Sequence, residues 1–168
     1  EFCHSSSHNT VTINNQSLTV NCNNHYFSKA YKKATTKKSS RSSVDRIKLS
    51  LTTNGTRRFG PNMFSDYKRV FLLKKSSFEV IDYVVGLKEF TANCTFNFEA
   101  DIKLTRLNNN CFNIDGPGLS LKILSDSMDG EIQKSSAVRS YMRSAAIESL
   151  LFTKESKLLK NSFYIKEE

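Results

Sequence analysis

Two consecutive runs of sequence decide the fold: Asp66-Tyr-Lys-Arg-Val-Phe-Leu-Leu73 and Phe78-Glu-Val-Ile-Asp-Tyr-Val-Val85. Both are rich in β-branched and aromatic residues, a composition typical of strands. Residues 74–77 between them are polar and few, so the chain must reverse direction there. The two runs are therefore predicted to pair as an antiparallel hairpin.

Further strands are predicted on both sides of this hairpin, because apolar and polar residues alternate there. They cover residues 10–13, 17–20, 47–51, 90–98, 111–112 and 119–123. The first two form a second hairpin around residues 14–16. The run 90–98 places Phe90, Cys94 and Phe96 on one face, and its alternation continues to Leu104.

Two helices are predicted where apolar residues recur at helical spacing instead. Residues 25–36 follow a plausible capping residue, Asn24, and carry an apolar stripe. Residues 135–160 carry a second and longer stripe. From the end of the first helix towards the next strand, residues 35–43 are all Ser, Thr, Lys or Arg, which predicts a surface loop. The stripes consist of Phe27, Tyr31 and Ala34 in the first helix and Val138, Tyr141, Met142, Ala145, Ser149 and Phe152 in the second.

These elements predict an α+β fold: an N-terminal hairpin and a short helix packed on an antiparallel sheet, with a C-terminal helix added. A chain of 168 residues fits one domain, residues 1–168. No window of about 18 apolar residues is present, so no membrane contact is expected.

The charge of the chain is concentrated in its first half. The total is +9, but residues 1–75 hold 14 Lys and Arg against 3 Asp and Glu. Such a surface suits phosphates or an acidic partner. A solvated loop that carries a run of charges fits the same pattern.

The cysteines indicate an oxidising compartment. Cys3, Cys22, Cys94 and Cys111 are even in number and lack the Cys-x-x-Cys spacing of a zinc site. Two disulfides in a secreted protein are therefore expected. All three connectivities remain open, because spacing alone does not choose among them.

Familiar catalytic and metal-binding motifs are missing. The sequence has no Gly-x-Ser-x-Gly, no Gly-rich phosphate loop and no His-Glu-x-x-His. His4 and His8 lie in a Ser-rich terminal stretch, and residues 126–131 do not follow the spacing of a calcium loop. We expect no metal and no cofactor.

The order of hairpin, short helix and antiparallel meander ending in a cysteine resembles the small fungal guanyl-specific ribonucleases. Residues 66–73 resemble that family's Arg-Val-Ile-Phe strand, and Arg69 matches its phosphate-binding arginine. Cys94 corresponds to its final cysteine. The resemblance covers about residues 10–95 and leaves 96–168 as a C-terminal extension of strand and helix.

The catalytic residues of that family have no counterpart at the matching positions. Tyr83 stands where a histidine belongs, and Lys48 and Ser50 lie where a glutamate is expected. Neither Tyr nor Ser titrates near neutral pH, so acid–base hydrolysis is not expected. A ribonuclease-like secreted protein without its catalytic residues resembles the virulence effectors of powdery mildew fungi.

This resemblance implies a secreted monomer, delivered into host cells, that binds a host RNA or a host protein without catalysis. For RNA, basic side chains would neutralise phosphates and aromatic rings would stack on unpaired bases. The predicted site consists of Arg57, Arg58, Phe59, Tyr67, Lys68 and Arg69. The simpler alternative is core aromatics beside surface charges.

Two other functions stay open at this stage. An active ribonuclease would use His25 as a relocated acid or base, with Arg69 and a carboxylate such as Glu79. A secreted binding or inhibitory module of unrelated fold would use the C-terminal helix and the strands before it as its recognition face.

Overall fold

The computed structural model describes residues 9, 11–15, 35–39, 46–54, 64–74, 76–140 and 143–167. Side chains are described for residues 9, 11–15, 68–74, 76–134 and 147–167. All regular structure in these residues is β-strand, and within them no helix is long and apolar enough to cross a membrane.

Ten strands make one antiparallel sheet. Its order is β2-β3-β4-β5-β10-β8-β7-β6, with β1 pairing with β5 and β9 pairing with β10 beside that path. The strands are β1 (Val11–Ile13), β2 (Thr35–Ser39), β3 (Arg46–Asn54), β4 (Phe64–Lys74), β5 (Ser77–Asn97), β6 (Lys103–Arg106), β7 (Cys111–Gly116), β8 (Leu119–Ser125), β9 (Asp129–Ser140) and β10 (Arg143–Glu167).

Two long strands, β5 and β10, form the centre of the sheet. They pair with each other from Lys166 opposite Ser77 to Ser149 opposite Asn97. One half of β5 also pairs with β4, and the other half with β1. In the same way β10 pairs with β9 in its first half and with β8 in its second half.

Both long strands fold back on themselves, which turns the sheet into a sandwich. The rings of Phe152 and Phe163, both in β10, have centroids 4.9 Å apart. Eleven residues of straight strand would separate them by about 36 Å. Likewise Cys94 Sγ lies 3.7 Å from Asp82 Oδ2, although both residues belong to β5.

The bend has a visible local cause in each strand. In β5, a Cβ atom added at Gly86 would lie 2.5 Å from a ring carbon of Phe90, so the bend needs a residue without a side chain. In β10, the register with β5 shifts between Ser156 and Leu158, which marks a β-bulge. Bulges bend a strand and increase its twist.

The core lies between the two layers that the bend creates. One layer contains β1, β9, the end of β5 and the start of β10; the remaining strands and strand halves form the other. Aromatic rings from both layers meet edge to face. These rings belong to Phe96, Phe112, Phe152 and Phe163, which are all buried.

The predicted α+β class is wrong, because the described residues are all-β. The predicted helix at residues 135–160 is instead the hairpin of β9 and β10. Thr35–Ser39 form strand β2 rather than a helix end or a loop. The rest of the predicted N-terminal helix, and the predicted strand at residues 17–20, lie outside the described residues.

Most of the predicted strands are confirmed. Residues 47–51 lie in β3, and the hairpin of residues 66–85 is β4 and β5, closed where Lys74 pairs with Ser77. Residues 90–98 continue β5 as far as Asn97, whereas Leu104 belongs to a separate strand, β6. Pairing of β5 with β10 joins the predicted ribonuclease-like part to the predicted C-terminal extension within one sheet.

Candidate functional site

Arg69, predicted to bind phosphate, lies in the interior. It is 3% exposed and forms an ion pair with Asp82 across β4 and β5, with Nε–Oδ1 2.7 Å and Nη2–Oδ2 2.8 Å. Its Nη1 donates to the backbone carbonyl of Asn9 at 2.6 Å. The guanidinium is therefore engaged inside the fold and does not face a ligand.

The other predicted residues have different outcomes. Arg57, Arg58 and Phe59 lie outside the described residues. Tyr67 lies in β4 opposite Thr53 and Val84, and its side chain is not described. Lys68 is half-buried and, because side chains alternate along a strand, lies on the opposite face from its neighbour Arg69.

Lys68 belongs to a row that crosses three strands. It pairs with Tyr83 of β5, and Tyr83 pairs on its other side with Lys160 of β10. Directly opposite side chains lie on the same face of an antiparallel sheet, about 5 Å apart at Cβ. A half-buried tyrosine is thus flanked by two lysines on the outer face of the sandwich.

The same face continues along β10. Tyr164 and Lys166 follow Lys160 at even spacing, which keeps all three on the outside, and Lys166 pairs with Lys122 of β8. Tyr164 is 40% exposed. We call this surface the lysine–tyrosine face, and it consists of Lys68, Tyr83, Lys122, Lys160, Tyr164 and Lys166.

The lysine–tyrosine face carries net positive charge. Glu79, which pairs with Tyr164 across β5 and β10, is neutralised by Lys74, whose Nζ lies 3.0 Å from Oε2. From Lys160 to Lys166 the strand extends about 20 Å, and two strand spacings of about 10 Å separate Lys68 from Lys160. Val70, Leu72, Glu79 and Ser162 lie on the same face between these residues and are buried. The positions open to a negatively charged chain are therefore the exposed Lys160, Tyr164 and Lys166 along β10, with Lys68, Tyr83 and Lys122 half-buried beside them.

The alternation of buried and exposed residues along β10 is the sequence signal for Lys160, Tyr164 and Lys166, half of this face. Leu159, Asn161 and Phe163 are fully buried, whereas Lys160 and Tyr164 on the other parity are exposed; Ser162 between them is a small buried residue. The predicted helix over residues 135–160 obscures this pattern. In the sequence, Tyr83 stands out only as the residue at the position of a catalytic histidine.

The cysteines in the described residues are free. Cys94 and Cys111 are buried thiols, so the disulfides predicted for them are absent from this structure. Cys94 belongs to β5, while Cys111 begins β7 and pairs with Leu124. Cys3 and Cys22 lie outside the described residues, and a bond between those two stays a prediction.

Cys94 lies in a polar pocket of the core. Burial raises the pKa of its thiol well above the ordinary value; the Asp82 carboxylate raises it further, and Arg69 partly opposes this. Its Sγ also lies 3.8 Å from the sulfur of Met128. The thiol is therefore neutral at physiological pH and poorly suited to act as a nucleophile.

The groups named for alternative chemistry are not brought together in the part of the chain that is described. His4, His8 and His25 lie outside it, and Glu79 is engaged with Lys74. Among the described residues, no group of three His, Cys, Asp or Glu side chains could hold a metal ion.

No protein family and no curated protein sequence matches this chain. Solved structures do match its fold. Heparan sulfate lyase from Pedobacter heparinus matches with a TM-score of 0.72 and 18% identity, over 98% of this chain and 25% of the lyase. A heparinase III gene product matches with a TM-score of 0.71 and 14% identity, over 97% of this chain and 24% of its own.

These matches show the fold, and the chain spans about a quarter of the length of those proteins. They also correct the functional interpretation. The resemblance to fungal ribonucleases and powdery mildew effectors is wrong, because the described residues form a sandwich of strands that matches part of a heparan sulfate lyase and of a heparinase III.

Proposed function

We propose that this domain binds an acidic polysaccharide on its lysine–tyrosine face, without catalysis, as one module of a secreted protein. The observation that carries the proposal is the row of Lys68, Tyr83 and Lys160 on three adjacent strands. The other residues of the face extend the same chemistry along β10 and β8.

Each side chain of the row has a defined part in such binding. Lysine ammonium groups pair with carboxylate or sulfate groups on a sugar chain, and charge-assisted hydrogen bonds of this kind are the stronger ones. A tyrosine ring offers a flat apolar surface to the C–H face of a sugar ring and a hydroxyl at its edge. A surface on which lysines alternate with tyrosine rings therefore suits a polysaccharide that carries acidic groups on successive sugar rings.

Charge and fold support the same class of ligand. The net charge of +9, which is concentrated in residues 1–75 and includes Lys68 of the face, attracts polyanions to the chain over a Debye length, roughly 10 Å at 0.1 M salt. The similar solved structures include proteins named for heparan sulfate, a sulfated polysaccharide. Because this chain corresponds to a quarter of those lyases, we propose binding rather than bond cleavage.

The test is retention of heparan sulfate by the purified chain, compared between wild type and Lys68→Gln/Lys160→Gln. We expect the double variant to bind about tenfold more weakly, a loss of ~1.4 kcal/mol. Lys88→Gln/Lys157→Gln is the matched control, because it removes the same charge from exposed positions outside the face. Added salt should weaken binding by the wild type.

Two results would overturn the proposal. Equal affinity of Lys68→Gln/Lys160→Gln and the matched control would show that total charge, rather than the face, holds the polymer. Release of an unsaturated sugar product during the incubation, followed by its ultraviolet absorbance, would contradict the noncatalytic part.

A further inference from the structure

A separate cleft opens where the first part of β10 meets the middle of β9 and the start of β6. Its volume is about 340 Å³, near the lower end of the range of small-molecule sites. The residues that line it are Ala100, Ile102, Lys103, Lys134, Ile147 and Glu148. None of them belongs to the lysine–tyrosine face.

Glu148 fixes the shape of this cleft. Its backbone carbonyl accepts a hydrogen bond from the Phe98 amide at 3.2 Å, and its Oε2 accepts one from the Leu104 amide at 3.0 Å. These contacts hold the connection between β5 and β6 against β10. Glu148 also pairs in register with Lys134 of β9, so one residue joins three sides of the cleft.

The cleft is lined by charged side chains and by apolar side chains. Lys103 and Lys134 are exposed and bring two positive charges to a lining with one carboxylate, that of Glu148. Asp115 of β7, directly opposite Lys103, is not part of the lining. Ala100 and Ile102 supply an apolar wall. A net positive cleft with an apolar wall and one hydrogen-bond acceptor fits a small organic anion that carries hydroxyl groups.

We propose that this cleft binds one uronic acid unit, and the choice of sugar acid rests on the proposed function. Its carboxylate pairs with the ammonium groups of Lys103 and Lys134, and a ring hydroxyl donates to the Glu148 carboxylate. The carbon skeleton packs against Ala100 and Ile102. The cleft then recognises a chain end or a single sugar, whereas the lysine–tyrosine face binds the body of the polymer.

The experiment is calorimetric titration of the whole chain with D-glucuronate, and with D-glucose as the neutral analogue. Wild type should bind glucuronate and not glucose. Lys103→Gln/Lys134→Gln should bind glucuronate at least tenfold more weakly, because the ammonium groups are gone. Both lysines are exposed, so these substitutions leave the core intact. Lys68→Gln/Lys160→Gln is the control and should bind glucuronate like wild type.

Three results would overturn the inference: no glucuronate binding by wild type, equal binding of glucose, or unchanged binding by Lys103→Gln/Lys134→Gln. Heparan sulfate retention by the same proteins separates this failure from failure of the proposed function. If heparan sulfate retention depends on Lys68 and Lys160 but glucuronate does not bind, the proposed function is supported and the role of the cleft in binding is rejected.

Discussion

Phe152 and Phe163 lie on the same strand, yet their rings pack together with centroids 4.9 Å apart and planes inclined at 60°. The two residues face each other because β10 runs through one layer, bends at the bulge after Ser156 and returns through the other layer. The core is therefore closed by a contact within one strand, in addition to contacts between strands.

Replacing Phe163 should test this closure. Its ring is fully buried and contacts those of Phe96 and Phe152, so Phe163→Ala should destabilise the protein by about 3–5 kcal/mol through lost burial and a cavity. The neighbouring Tyr164→Ala, at an exposed position, should cost much less. Urea denaturation of both variants measures the difference, and equal midpoints would contradict the folded-back strand.

The ion pair of Arg69 and Asp82 should be strongly coupled. Asp82→Leu leaves a buried guanidinium without its counter-charge, and Arg69→Met leaves the buried carboxylate without its own; each costs about 3–5 kcal/mol. Arg69→Met/Asp82→Leu removes both charges and should be less destabilised than the sum of its single variants. Denaturant midpoints of the four proteins close the cycle, and additive effects would rule out the buried pair.

Lys74→Gln, which breaks a pair with a half-exposed lysine, should cost no more than about 1 kcal/mol.

Gly130 should not tolerate a side chain. A Cβ atom there would lie 2.7 Å from a ring carbon of Phe152 and 2.8 Å from one of Phe112. Both rings are fully buried and cannot move aside, so Gly130→Ala should cost about 1–3 kcal/mol through overpacking. Thermal unfolding would show this as a lower Tm, and an unchanged Tm would mean that β9 does not approach the rings so closely.

Cys94 should resist thiol reagents in the native state. Burial raises the pKa of its thiol, so the reactive thiolate is scarce at neutral pH, and the sulfur is also out of reach. Maleimide labelling followed by peptide mass mapping should find Cys94 and Cys111 unmodified until denaturant is added. Rapid native labelling of Cys94, or its recovery in a disulfide, would contradict the buried free thiol.

The hairpin of β4 and β5 follows from the sequence because its signals are local. The runs 66–73 and 78–85 have strand composition, and the turn between them fixes which residues pair. With Lys74 opposite Ser77, Arg69 must stand opposite Asp82. The sequence thus contained the partner of Arg69, and counting the register outward from the turn would have placed this arginine in an ion pair instead of a phosphate site.

The long helix was predicted wrongly because the bulge in β10 reverses its alternation. Before the bulge the core residues are even-numbered, Leu150 and Phe152; after it they are odd-numbered, Leu159 and Phe163. When the apolar–polar alternation shifts by one residue partway along a strand, the whole segment no longer shows the continuous alternation that predicts a strand. The lysines and tyrosine of β10 were missed for the same reason, since their shared face depends on that phase.

The passage of β5 and β10 through both layers also determines how the molecule comes apart. Because β5 and β10 are shared by both layers, unfolding of these strands in one layer disrupts the other layer as well. The two layers should therefore unfold together in one cooperative transition. A polymer held on the outer face of one layer then raises the unfolding free energy of both. Amides of β1 and β9, far from that face along the strand order, should exchange more slowly with solvent when the polymer is bound.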